Sequence, residues 1–163
     1  MNVELLSMTV PEVKQALADL DAATFRGHRV DPGAIGPDIV LRSALERRAR
    51  GEEWFWCTPR LFYATDENLI VGSGDFKNSP RKGEVEIGLG VAKSCEGRGY
   101  ATAGVALLVI EAFTRPEVSA VTAESAVWNI GSQRVLQKNG FVRCGERVDP
   151  GDGPLILWRR ARG

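Results

Sequence analysis

Residues 83–113 read GEVEIGLGVAKSCEGRGYATAGVALLVIEAF, and the change of period within this stretch decides the fold. The opening EVEIGLGVA (84–92) alternates apolar with charged or small residues, as a strand with one buried face does. The closing YATAGVALLVIEAF (100–113) is apolar almost throughout and predicts a buried helix of about four turns. It is about one-third shorter than the roughly 20 residues a bilayer span needs, so no membrane segment is expected. Between strand and helix, Gly97 and Gly99 flank Arg98. The first N–H groups of a helix have no partner within it, and the helix dipole makes that end positive. Glycines at such a mouth let main-chain donors approach phosphate oxygens without side-chain obstruction. Taken alone, so short a glycine pattern favours a plain turn before a buried helix.

Working outward, VELLSM (3–8) reads as a first strand and TVPEVKQALADL as a helix with Pro11 in its first turn. RGHRVDPGAIGPD (26–38), rich in glycine and proline, is expected to be a loop, followed by a helix from Ile39 to Arg50 that Gly51 ends. RLFYAT (60–65) and LIVGSGDF (69–76) flank DEN as a hairpin, and KNSPRKG turns the chain into strand 84–92. After the apolar helix come strand VSAVTAE (118–124), helix NIGSQRVLQKNG (129–140) with Asn129 as N-cap, and two strands, FVRCGERV and LILWRR, around DPGDGP. The order predicts one α/β domain over residues 1–163: a mixed, mostly antiparallel sheet with one central strand–helix–strand crossover. A doubly wound dinucleotide fold would need more parallel repeats.

Composition narrows the function classes. Twenty-one basic residues balance twenty-one acidic ones, so no broad nucleic-acid surface is expected. Three scattered cysteines (Cys57, Cys95, Cys144) and a single histidine, His28, predict no metal site. Free thiols and the lack of a basic, apolar leader pattern in MNVELLSMTVPEVK point to the cytoplasm.

Two segments carry a resemblance. Glu96-Gly97-Arg98-Gly99-Tyr100-Ala101 resembles the coenzyme-binding motif of the GNAT superfamily of N-acetyltransferases: Gln or Arg, two residues, Gly, one residue, then Gly or Ala. NIGSQRVLQKNGF (129–141) is similar to the Asn-x-x-Ser…Lys-x-Gly-Phe signature of its ribosomal-protein N-acetyltransferase (RimJ/RimL-type) branch. The resemblance runs from Gly83 to Phe141 and implies the GNAT fold, with central strands splayed apart. It implies acetyl-CoA as cosubstrate and direct attack by a primary amine, on a small molecule or a protein N-terminus. Glu96 departs from the motif, since a carboxylate beside pyrophosphate is unfavourable, and its side chain is expected to turn outward.

The same resemblance assigns the pyrophosphate to main-chain donors from Gly97 to Ala101, with Arg98 and Tyr100 alongside, and the pantetheine arm to strand 84–92. Gly88 and Gly90 suit a bulge there, and a main-chain N–H near Leu89, Gly90 or Val91 would polarise the thioester carbonyl. Glu124 and Glu86 are the candidate general bases, ranked level, each also readable as a solvated strand carboxylate. Many relatives place a proton-donating tyrosine four residues before the Gly of Gly-Phe, where this chain has Leu136. Ser132 is the substitute expected to face the leaving sulfur, and Asn129 is expected to contact the pantetheine. Trp54, Trp56 or His28 would line the acceptor pocket if they are not simply packing. A coenzyme-binding module without turnover, and a nucleotide- or phosphate-binding regulator, stand as alternatives. The assembly is left open between monomer and homodimer.

Overall fold

The computed structural model describes residues 1–163. Along the chain run β1 (Val3–Ser7), α1 (Val10–Ala18), β2 (Thr24–Phe25), β3 (His28–Val30), α2 (Asp38–Ala49), α3 (Trp54–Cys57), β4 (Arg60–Ala64) and β5 (Leu69–Phe76). Then follow β6 (Glu84–Val91), α4 (Tyr100–Phe113), β7 (Ala120–Ala126), α5 (Ile130–Lys138), β8 (Val142–Asp149) and β9 (Gly153–Ala161). The sheet order is β1-β4-β5-β6-β7-β9-β8. Every neighbouring pair is antiparallel except β6 and β7, which are joined by α4 as the expected crossover. The result is a mixed sheet flanked by helices, as the resemblance implies.

Three expectations need correction. Segment 26–38 is not all loop: β3 pairs in parallel with Leu69 and Ile70 of β5. β6 leaves that flank of β5 free, because its register with β5 runs from Phe76↔Ile87 to Gly72↔Val91, and three residues are too few to show alternation in sequence. The strand read at 118–124 spans Ala120–Ala126, so Glu124 lies inside it. Strand 84–92 carries no bulge against β5, since the register is unbroken; the shift falls between Phe62 and Tyr63 of β4 instead. The short helix α3 buries Trp56 and Cys57.

Packing fixes α4 in place. Tyr100, Val105, Leu108, Val109 and Ala112 of this helix are buried in the main core cluster with Phe62, Ile70, Val71, Phe76, Val85 and Ile87 of the sheet. Gly104 lies so close to Phe62 that a Cβ there would sit 2.5 Å from two ring carbons. At its C-terminal end Glu111 pairs with buried Arg60 of β4 at 3.2 Å. At its N-terminal end Asn139 donates to the Thr102 carbonyl at 3.1 Å, tying α5 to the first turn. Direct contact, an ion pair and a hydrogen bond therefore set where the mouth of α4 lies.

Candidate functional site

β6 and β7 are paired over only three positions, Glu84↔Ala120, Val85↔Val121 and Glu86↔Thr122. Beyond them β6 keeps β5 and β7 keeps β9, but the two strands no longer meet. The sheet forks toward the C-terminal ends of its parallel strands, the end where α/β folds place ligands.

The hydrogen-bond alternation of β6 decides which groups face the fork. Lys77 N donates to Glu86 O (2.7 Å) and Ala92 N to Val71 O (2.8 Å), so the even-numbered residues of β6 bond to β5. Thr122 Oγ1 reaches Val85 O at 3.5 Å, which puts the odd-numbered main-chain groups on the β7 side. Past Glu86 the N–H groups of Leu89 and Val91 therefore point into the gap, and that of Gly90 points to β5.

Both helices that follow the forked strands open at this end. Gly97 and Gly99 have φ of 74° and 88°, a left-handed backbone that glycine adopts without strain. Gly99 is the N-cap of α4 and offers no side-chain cap. The N–H groups from Gly97 to Thr102 find no acceptor in the protein, and the first paired one is Ala103, which bonds to Gly99 O at 3.1 Å. Glu96 is exposed: its main-chain N–H donates to Lys93 O at 3.3 Å, and its side chain makes no hydrogen bond or ion pair. Arg98 pairs with Glu67 and lies 5.1 Å from the Tyr100 ring. Tyr100 is buried, which raises its phenol above the usual range. The anion-binding capacity here is main-chain, with Arg98 beside it already shared with a carboxylate.

At the mouth of α5, Asn129 Oδ1 accepts from Ser132 N at 3.1 Å. The cap thus belongs to Asn129, and the half-buried Ser132 hydroxyl makes no hydrogen bond. Leu136 is buried in the core.

The two candidate bases have unlike surroundings. Arg147 of β8 holds Glu124 through two hydrogen bonds, 2.5 and 2.8 Å, and keeps its carboxyl below the usual range. Glu86 faces Lys77 at 3.7 Å, yet burial pushes its carboxyl up, with the Glu124 charge adding to the effect. A base is more effective as its pKa approaches the working pH, so the environment favours Glu86. Glu86 and Thr122, the last paired residues before the fork, line a cavity of about 320 Å³ with Lys77, Asn78, Arg81 and Glu84, none of them hydrophobic. Asn78 holds its rim, donating to Glu84 O (3.1 Å) and accepting from Glu86 N (2.9 Å).

The aromatic candidates lie elsewhere. Trp56 is buried in the core, and Trp54 Nε1 donates to Met8 O at 3.0 Å beside the start of α1. His28 Nδ1 lies 2.7 Å from Asn68 Oδ1, with its ring 4.2 Å from that of Tyr63. Trp128, 74% exposed between β7 and α5, is the tryptophan near the fork. Sequence reading also passed over Asp75, Lys77 and Arg147. The alternation of LIVGSGDF puts Ser73 and Asp75 on one face of β5, and that was the available signal for Asp75.

Comparison with known proteins agrees with this geometry. Residues 11–142 match the family described as acetyltransferase (GNAT) domain. Over 78 residues the chain is 37% identical to the uncharacterized N-acetyltransferase YjdG of Bacillus subtilis (strain 168). That match covers 47% of this chain and 46% of the relative, about half the length of each. The aminoglycoside acetyltransferase AAC(6')-Ib, solved in complex with coenzyme A, aligns with a TM-score of 0.67 at 22% identity, over 99% of this chain and 95% of that one. RimL, a ribosomal L7/L12 α-N-protein acetyltransferase solved with coenzyme A, aligns at 0.67 with 17% identity, over 99% and 94%. At such identities the likeness speaks for the fold. No group of three or more His, Cys, Asp or Glu side chains is placed to share a metal ion. No helix is long and apolar enough to cross a membrane.

Proposed function

The chain belongs to the GNAT acetyltransferase family, and from that premise we propose that it moves an acetyl group from acetyl-CoA directly to a primary amine, on a small molecule or a protein N-terminus. One observation carries the reading: unpaired amides at the mouth of α4 adjoin a gap into which the N–H groups of Leu89 and Val91 point. Such donors suit a diphosphate at one end and an extended amide-bearing arm at the other. Main-chain groups of Gly97, Arg98, Gly99, Tyr100 and Ala101 hold the diphosphate, and exposed Glu96 stays clear of it. The arm adds to β6 as a strand would, and a main-chain N–H near Leu89 to Val91 stabilises the oxyanion that develops on the thioester carbonyl. Asn129 caps α5 and borders the arm. The unpartnered Ser132 hydroxyl donates toward the departing sulfur, in place of the tyrosine that Leu136 replaces. Glu86, the better suited of the two candidate bases, lines the acceptor's side of the fork. Glu124, held by Arg147, shapes the field around it.

The Asn129, Ser132, Lys138, Gly140 and Phe141 pattern supports placing the chain in the ribosomal-protein N-acetyltransferase branch. Three free cysteines fit a cytoplasmic location. Buried Leu136 also keeps a second reading in play, a coenzyme-binding module without turnover. Isothermal titration with acetyl-CoA, followed by thiol release across polyamines, aminoglycosides, amino acids and N-terminal peptides, tests both. Binding with release supports the transferase, and binding without release supports the module. Absence of binding, or a preference for ATP, overturns both.

A further inference from the structure

Asp75 is the carboxylate beside the fork that makes no direct ion pair. Glu84, Glu86 and Glu124 each have a cation, Arg159, Lys77 and Arg147 respectively. The Asp75 side chain forms neither a hydrogen bond nor an ion pair, although part of the residue's surface reaches solvent. It lies on β5 in register with Gly88 of β6. A Cβ at Gly88 would come within 2.7 Å of Lys77 Cε and 3.0 Å of Asp75 Oδ1. Gly88 has no left-handed φ, so its backbone does not call for glycine. What the missing side chain provides is room: Asp75 and Lys77 lean over β6, the strand that borders the gap.

We infer that Asp75 is a further catalytic residue, the group that holds the acceptor's ammonium and takes its proton before attack. This rests on the acetyl-transfer reading and adds a residue to it. The proton passes from the ammonium nitrogen to the Asp75 carboxylate. The freed lone pair forms a C–N bond at the thioester carbon, and the C–S bond breaks with its electrons left on sulfur. The amine's second proton neutralises the thiolate, and Asp75 returns its own proton to solvent. Lys77 stands over Gly88 beside Asp75 and, with Glu86, lines the polar cavity. Burial pushes the Asp75 carboxyl up to about 6, against Lys77 just past the end of its strand, Arg47 of α2 and Arg60 of β4, with Glu86 of β6 reinforcing the rise. Such a carboxylate is ionised at neutral pH and still basic enough to accept a proton.

The test is amine-dependent CoA release from pH 5 to 9 by wild type and Asp75→Asn, with spermidine, kanamycin and an alanine-terminated peptide as probes and acetyl-CoA affinity measured alongside. Asp75→Asn should bind acetyl-CoA within about twofold of wild type and lose about 100-fold in kcat. The wild-type acid limb, near pH 6 whichever amine is used, should vanish in the variant. A variant that keeps both the rate and the limb overturns the inference, as does a wild-type limb that moves with the amine's own pKa. A wild type that binds no acetyl-CoA, or turns over none of the amines, overturns the acetyl-transfer reading itself.

Discussion

Gly104→Ala sets two effects of known sign against each other. Alanine favours a helix interior over glycine by about 1 kcal/mol, so by propensity the variant would be more stable. The new Cβ, however, would stand 2.5 Å from Cε2 and Cζ of Phe62 and 2.8 Å from Cδ2, far inside the roughly 3.5–4.0 Å optimum for carbon pairs. The ring is fully buried and has little room to retreat, because Gly74 on the neighbouring strand is already close enough that a Cβ there would lie 3.1 Å from Phe62 Cζ. Overpacking of this kind costs about 1–3 kcal/mol, and a confined ring belongs at the upper end. Set against the helix gain, the net loss is about 2 kcal/mol, or about 4–8 °C in Tm for a domain of this size. Urea and thermal unfolding followed by circular dichroism would measure it. The helix must ride outward to relieve the contact, so acetyl-CoA affinity should fall as well. A variant as stable as wild type would refute the claim that the Phe62 contact positions the α4 mouth.

Ser132→Ala should lower kcat about tenfold with acetyl-CoA affinity unchanged, because the Asn129 cap bonds to the main-chain N–H, which alanine retains. Thiol release and isothermal titration check the split, and an unchanged kcat removes Ser132 from the chemistry. Glu12, held by Arg26 through two 2.7 Å hydrogen bonds, has its carboxyl lowered from 4.5 to about 2. A carboxyl lowered in the folded state stabilises it above the unfolded value and loses that contribution as pH falls through the folded one. Glu12→Gln should therefore be about 1 kcal/mol less stable than wild type at neutral pH, with the difference narrowing from pH 4.5 to 2 in urea midpoints.

Much of the fold was legible because its long elements keep clean periods. The shift from alternation at 84–92 to continuous apolarity at 100–113 gave the crossover, and the two glycines marked the mouth of α4. The short strand β3 was not legible, since its reason for existing is a free flank on β5, forty residues away. The GNAT fold and a donor-lined fork followed from local motifs, while the ordering of the carboxylates did not. Glu124 and Glu86 look alike in sequence. They differ through Arg147, which comes from a distant hairpin, and through burial by the assembled sheet. Asp75 escaped notice because its unpaired state depends on which cations fail to reach it. The role of Gly88, too, appears only when β5 lies alongside.

The one-sided bonding of β6 leaves a signature that hydrogen–deuterium exchange can read along a single strand. Amides at 88 and 90 are locked against β5 and should exchange slowly, while those at 89 and 91, with no partner across the fork, should exchange early. A ligand lying along that strand would slow the odd-numbered amides and barely touch the even ones. Occupancy of the gap would then show as a two-residue rhythm in protection, independent of catalysis.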